Sequence, residues 1–184
     1  KKDADIRFIE IDASAVEFLT HRFPGIEKSI INADILSTEL RDIFSVPFAV
    51  IGNLPYNISS QIFFKILENK NIIREVVCMV QKEVAARIVS PPGSKEYGIL
   101  SVLLQAFYRT EILFNVNPGV FRPPPKVTSS VMRLTRNGKK ELGCDEALFF
   151  KVVKTAFNQR RKMLSNSLKT ITAGKLPLQA FSDK

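Results

Sequence analysis

The 184-residue chain has no tryptophan, a single histidine and only two cysteines. Cys78 and Cys144 lie far apart, with no C-x-x-C pair and no histidine nearby in sequence, which excludes a disulfide scaffold or a structural zinc site. No metal is expected, and a reducing cytoplasm is the compartment that fits. No apolar run approaches the ~18 residues of a membrane span. The first residues, Lys1-Lys2-Asp3-Ala4-Asp5, have no apolar stretch of the kind a secretory signal needs. A soluble protein without membrane contact is the expectation. What is present is apolar: 45% of residues are hydrophobic, 14 of them phenylalanine, and only 24% are charged, which excludes wholesale disorder.

Acidic charge is scarce at one end. Of the net charge of +9, the last 48 residues carry +6, with 10 basic and 4 acidic side chains after Arg136. Such a pole suits a polyanion, and nucleic acid is the commonest one inside cells, although a solvated lysine-rich face has the same composition. Composition shifts near Gly138, dividing the chain into an α/β unit over residues 1–136 and a basic helical unit over 137–184.

Residues 6–11 (IRFIEI) predict a strand, and 13–23 place Val16, Leu19 and Phe23 at helical spacing before Pro24-Gly25. The pattern repeats with an apolar run over 29–33 stopped by Asp34, a short helical stretch, and a strand over 48–52. Two such units imply a parallel sheet. Residues 58–68 predict a helix with Asn57 as N-cap, and 75–80 a nearly all-apolar strand covered on both faces, so helices are expected on both sides of the sheet. A helix over 82–89, a long segment over 99–116 and a strand over 127–134 follow. The last two suggest an antiparallel hairpin at a sheet edge. Residues 146–169 are helical by period, with Phe150, Val153 and Phe157 on one side and Lys151, Lys154 and Lys162 on the other.

In an open α/β sheet ligands sit beyond the carboxyl ends of the strands. Those ends are Glu10 to Asp12, Asp34, Asn53 to Tyr56, and Gln81. The two carboxylate oxygens of Glu10 can accept both hydroxyls of a ribose. Asp34 can accept from an adenine amino group, with Ile11 and Ile35 clamping the flat ring. The same acids can equally cap the helices that follow them, as Asp12 is expected to do.

The run Asn53-Leu54-Pro55-Tyr56 makes those acids informative. Pro55 fixes its own φ and drives Leu54 out of the helical region, so the chain turns with an amide and an aromatic held side by side. Such a group suits methyl transfer to an exocyclic amine. The Asn53 side-chain oxygen and the Leu54 carbonyl can accept the two amino hydrogens while Tyr56 stacks on the base. Drawing the nitrogen toward tetrahedral geometry aims its lone pair at a methyl sulfonium, by positioning and electrostatics and with no strong base. An ordinary turn with a half-buried tyrosine is the plainer alternative.

Five blocks occur in order: 53-NLPYNISS, 81-QKEVAAR, 97-YGILSV, 121-FRPPPKV and 157-FNQRRKML. Together they resemble the KsgA-type rRNA adenine dimethyltransferases over nearly the whole chain from Phe8 to Leu168. The resemblance implies an α/β, Rossmann-like S-adenosylmethionine-dependent methyltransferase sheet with a small helical C-terminal domain. It implies dimethylation of two adjacent adenines near the 3′ end of 16S rRNA during small-subunit assembly. Carried over, it makes Glu10 the ribose ligand, Asp34 the ligand of the cofactor's adenine, and Asn53 a contact to both cofactor and target amine. Tyr56 stacks on the target adenine and Phe121 approaches it from another side; a core aromatic at a sheet edge is the alternative for Phe121, and a polyproline ligand for the prolines after it. Lys126, Arg160, Arg161 and Lys162 become phosphate contacts, or solvated charges.

The family's Gly-rich loop is missing: none of the eight glycines forms G-x-G. The chain reads as beginning at the family's second strand and stopping early in the C-terminal domain, truncated at both ends, with exposed sheet edges that favour association. Two other readings stand beside the first. One is the related large-subunit rRNA adenine methyltransferase of the antibiotic-resistance type, against which the blocks at Gln81 and Tyr97 weigh. The other is a non-catalytic rRNA-binding assembly factor.

Overall fold

A computed structural model describes residues 4–139, 141–159 and 162–172. The chain opens with strand β1 (Phe8–Glu10), helix α1 (Ala13–Arg22) and strand β2 (Ile30–Asn32). Asp12 caps α1 as expected, its Oδ1 accepting from the Ser14 amide at 2.8 Å. The turn after α1 uses Gly25 at φ 100°, whose amide donates to both carboxylate oxygens of Glu27 at 3.0 Å. That bond holds the Glu27 carboxyl below its ordinary range.

Next come α2 (Leu40–Ile43), β3 (Phe48–Asn53), α3 (Ser59–Glu68), β4 (Ile73–Gln81), α4 (Lys82–Val89), α5 (Ile99–Phe107), β5 (Tyr108–Val116) and β6 (Ser129–Arg136). The single parallel sheet expected over the first three strands is not what forms: β1 pairs with β2 in parallel, Ile9 opposite Ile31, but β3 pairs in parallel with β4, Ile51 opposite Val77, and not with β2. The two pairs belong to different sheets. Among the described residues β1 and β2 form a two-stranded sheet, and a four-stranded sheet runs β3-β4-β6-β5. The late strands do pair antiparallel at its edge, with β6 inserted between β4 and β5.

Side chains alternate along β4, with Val76, Cys78 and Val80 buried and Val77, Met79 and Gln81 half-buried. The buried face meets Met132 and Leu134 of β6 and is sealed by Phe63 and Leu67 of α3, Ala85 and Ile88 of α4, and Leu103 and Leu104 of α5. Each fully buried side chain of this size contributes about 1.5–3 kcal/mol. The opposite face is only partly covered, and Ile51 on β3 is 86% exposed. The expectation of a doubly covered strand with helices on both faces is therefore corrected. An apolar run does not report which of its faces is covered.

Asn57 does not cap α3. The helix begins after Ile58, which makes no side-chain cap bond; instead the Ser59 hydroxyl donates to the Tyr56 carbonyl at 3.2 Å. The predicted helix over 146–169 is two, α6 (Glu146–Asn158) and α7 (Leu164–Thr172). Phe150 of α6 stacks on Phe107 of α5, ring centroids 6.2 Å apart, and Phe157 meets Tyr97 edge-on at 6.0 Å.

Candidate active site

The turn after β3 is anchored to the sheet. The Leu54 amide donates to the Met79 carbonyl at 3.0 Å, and its side chain is buried, while Asn53 and Pro55 stay exposed and Tyr56 is half-buried. The buried Leu54 side chain and Pro55 together pin the turn. Across from it, residues 118–120 make a single 3₁₀ turn, closed when the Phe121 amide donates to the Pro118 carbonyl at 3.1 Å. Asn53, Leu54, Pro55, Tyr56 and Phe121 line one cleft of about 310 Å³, completed by Pro123 and Pro125. The five residues singled out from two distant segments are thus brought together. Pro123 and Pro125, for which the sequence offered a polyproline ligand as the alternative, are part of this wall.

The Tyr56 hydroxyl lies 2.6 Å from the hydroxyl of Ser129, which is fully buried at the start of β6. The ring is therefore held at its far end, and Tyr56 lines the cleft. The Asn53 amide makes no hydrogen bond within the described residues and remains available to a ligand.

Glu10 and Asp34 stand at the carboxyl ends of adjacent strands. Glu10 accepts from the Asp12 amide at 2.9 Å through Oε1, and Asp34 from the Leu36 amide at 2.9 Å through Oδ1. Neither acid caps a helix, since Asp12 caps α1 and α2 starts after Glu39; each makes a local backbone bond with one oxygen and keeps the other for a second donor. Ile11 is exposed and Ile35 half-buried. Asn32, unremarked in the sequence, ties the strand ends together, its Nδ2 donating to the carbonyls of Glu10 at 2.8 Å and Ile11 at 3.2 Å. An amide closing an apolar run was the available signal.

Lys126 is exposed one residue beyond the cleft wall, and Lys162 is exposed between α6 and α7. Arg160 and Arg161 lie outside the described residues. Among the described residues no cluster of three or more His, Cys, Asp or Glu side chains can hold a metal ion, and no helix is long and apolar enough to cross a membrane.

The sequence model of the family described as Ribosomal RNA adenine dimethylase matches residues 5–184. A relative from Bacteroides thetaiotaomicron, Ribosomal RNA small subunit methyltransferase A, is 56% identical over 97% of this chain and 67% of its own length. The protein of that name from Cytophaga hutchinsonii is 52% identical over 90% of this chain and 64% of its own. The chain thus spans about two thirds of the length of these curated relatives. Among solved structures, a dimethyladenosine transferase from Plasmodium falciparum superposes with a TM-score of 0.73 at 26% identity, covering 88% of this chain and 58% of that one. The 23S rRNA methyltransferase ErmE gives 0.65 at 28% identity, over 93% and 67%. The fold is the Rossmann-like α/β fold of these methyltransferases, and the chain belongs to the ribosomal RNA adenine dimethylase family.

Proposed function

We propose that the protein containing this chain transfers methyl groups from S-adenosylmethionine to the exocyclic amines of two adjacent adenines near the 3′ end of 16S rRNA, in the cytoplasm, during small-subunit assembly. The observation that carries this reading is the cleft in which an uncommitted asparagine amide, an anchored tyrosine ring and Phe121 converge. The small-subunit names of the curated relatives favour this substrate over large-subunit rRNA.

In this reading the target adenine leaves its stack and enters between Tyr56 and Phe121. The Asn53 Oδ1 and the Leu54 carbonyl accept the two amino hydrogens, which localises the nitrogen lone pair and orients it. S-adenosylmethionine, when bound, supplies an electrophilic methyl group on a sulfonium. The residues present fit its adenosine part: Glu10 and Asp34 each retain a carboxylate oxygen for a ribose hydroxyl or an amino hydrogen, and Ile11 and Ile35 offer apolar surface to the ring. Exposed Lys126 and Lys162, with Arg160 and Arg161, contact phosphates and position the RNA without reading its sequence. The methyltransferase unit over 1–136 carries the chemistry and the Lys126 contact, and the basic helical unit over 137–184 carries the other phosphate contacts.

The test is Asn53→Ala in the full-length polypeptide. Methyl transfer to small-subunit particles should be abolished while RNA affinity is retained. Unchanged turnover would remove Asn53 from the mechanism, and a wild-type protein that binds the RNA but transfers no methyl would favour an assembly factor.

A further inference from the structure

We infer that Ser129 is a positioning residue for methyl transfer, acting through the Tyr56 ring; the inference rests on the function proposed above. A tyrosine that stacks on a base must present one face in one orientation, yet the side chain has two freely rotating torsions whose ordering costs entropy. Two bonds fix Tyr56 here. Its carbonyl accepts the Ser59 hydroxyl at 3.2 Å, and its own hydroxyl meets Ser129 Oγ at 2.6 Å.

Ser129 is a firm anchor. It is fully buried, and it sits in register between Gln81 of β4 and Val116 of β5, so the two neighbouring strands hold it from both sides. A buried hydroxyl needs a partner, and the partner is 73 residues away in sequence. Immediately before it, the Thr128 carbonyl accepts from the Lys82 amide at 2.9 Å, fastening the strand entry to α4. The arrangement also assigns the phenol hydroxyl. It is engaged by the protein, so the substrate meets the ring face rather than the hydroxyl.

The consequence distinguishes this role from a structural one. Removing the bond from either side should have the same effect, and removing it twice should add nothing. Ser129→Ala, Tyr56→Phe and the double variant are to be compared in the full-length polypeptide. Each single variant should lower kcat for methyl transfer about fivefold, the worth of one hydrogen bond of about 1 kcal/mol. The double variant should match the singles, and KM for the cofactor should not move.

The second readout is independent of activity: ring-selective ¹³C-tyrosine NMR of the 184-residue chain, which has three tyrosines. Ser129→Ala should shift the Tyr56 ring signal alone, leaving Tyr97 and Tyr108 as internal reporters of folding. If Ser129→Ala fails to fold, Tyr56→Phe removes the same bond from the exposed side and carries the kinetic comparison. Losses that multiply in the double variant, wild-type kcat in Ser129→Ala, or an unmoved Tyr56 signal would each overturn the inference. A wild-type protein without methyl transfer whose Tyr56 signal still responds to Ser129→Ala would sink the proposed function and leave the Ser129–Tyr56 coupling standing.

Discussion

The Lys70 ammonium meets a Glu146 carboxylate oxygen at 2.5 Å and lies over the Phe107 ring, 4.9 Å from its centroid. One side chain between α3 and β4 thereby ties the first turn of α6 to the main core. The partners are unequal: the Lys70 side chain is only 10% exposed and that of Glu146 is 46% exposed. Glu146→Gln leaves a largely buried ammonium without its counter-charge, whereas Lys70→Met removes the charge and keeps an apolar stem over Phe107. Half-exposure of the acid limits the pair itself to about 1 kcal/mol. Thermal unfolding should therefore rank the variants, with Glu146→Gln lowering the midpoint by more than Lys70→Met. The reverse order would mean that the ring contact, and not the ion pair, holds α6.

Burial pushes the Cys78 thiol from its ordinary 9.0 up to about 12 and raises the Tyr108 phenol above its ordinary 10.0. Both groups are neutral in the folded protein at pH 7. Stability from keeping them buried is complete below pH 9 and is lost as pH rises toward 12, because the unfolded chain ionises first. Urea midpoints measured between pH 8 and 11 should fall, and Cys78→Val should flatten the early part of that fall. At pH 8 iodoacetamide should label exposed Cys144 and spare Cys78; equal labelling of both would show that the β4 core opens readily.

Local chemistry was legible in the sequence and distant chemistry was not. Asp12 as the cap of α1, and the sharp turn at Leu54-Pro55, are set within four residues and need no partner elsewhere. The Asn57 cap failed because α3 starts at Ser59, which puts Ile58 and not Asn57 at the cap position. Phe150 announced an apolar helix face, but only the fold shows that the face meets Phe107. The cleft was legible as two separate motifs, while Ser129 carried only a weak signal: one of two serines opening a strand.

Glu10→Gln probes the cofactor reading with little change of shape. The amide oxygen of glutamine still accepts from the Asp12 amide as Glu10 Oε1 does, but its nitrogen cannot accept a ribose hydroxyl. One charge-assisted hydrogen bond of about 1.5 kcal/mol corresponds to about tenfold in affinity. Calorimetry on the full-length polypeptide should show that loss for S-adenosylmethionine, with the melting midpoint unchanged. Undiminished affinity with a lowered midpoint would make Glu10 a structural cap.

Ile51 offers the last test, of the sheet rather than the site. It sits on β3, the edge of the four-stranded sheet, opposite Val77, and is 86% exposed. An apolar edge strand of this kind can pair with another copy, and natural edges are commonly blunted by lysine. Ile51→Lys in the 184-residue chain should reduce concentration-dependent association in light scattering. A side chain this exposed contributes little to the core, so the unfolding free energy should stay within about 0.5 kcal/mol. A large loss of stability without any change in association would mean that Ile51 is packed in solution, and that the open face of the sheet closes on itself.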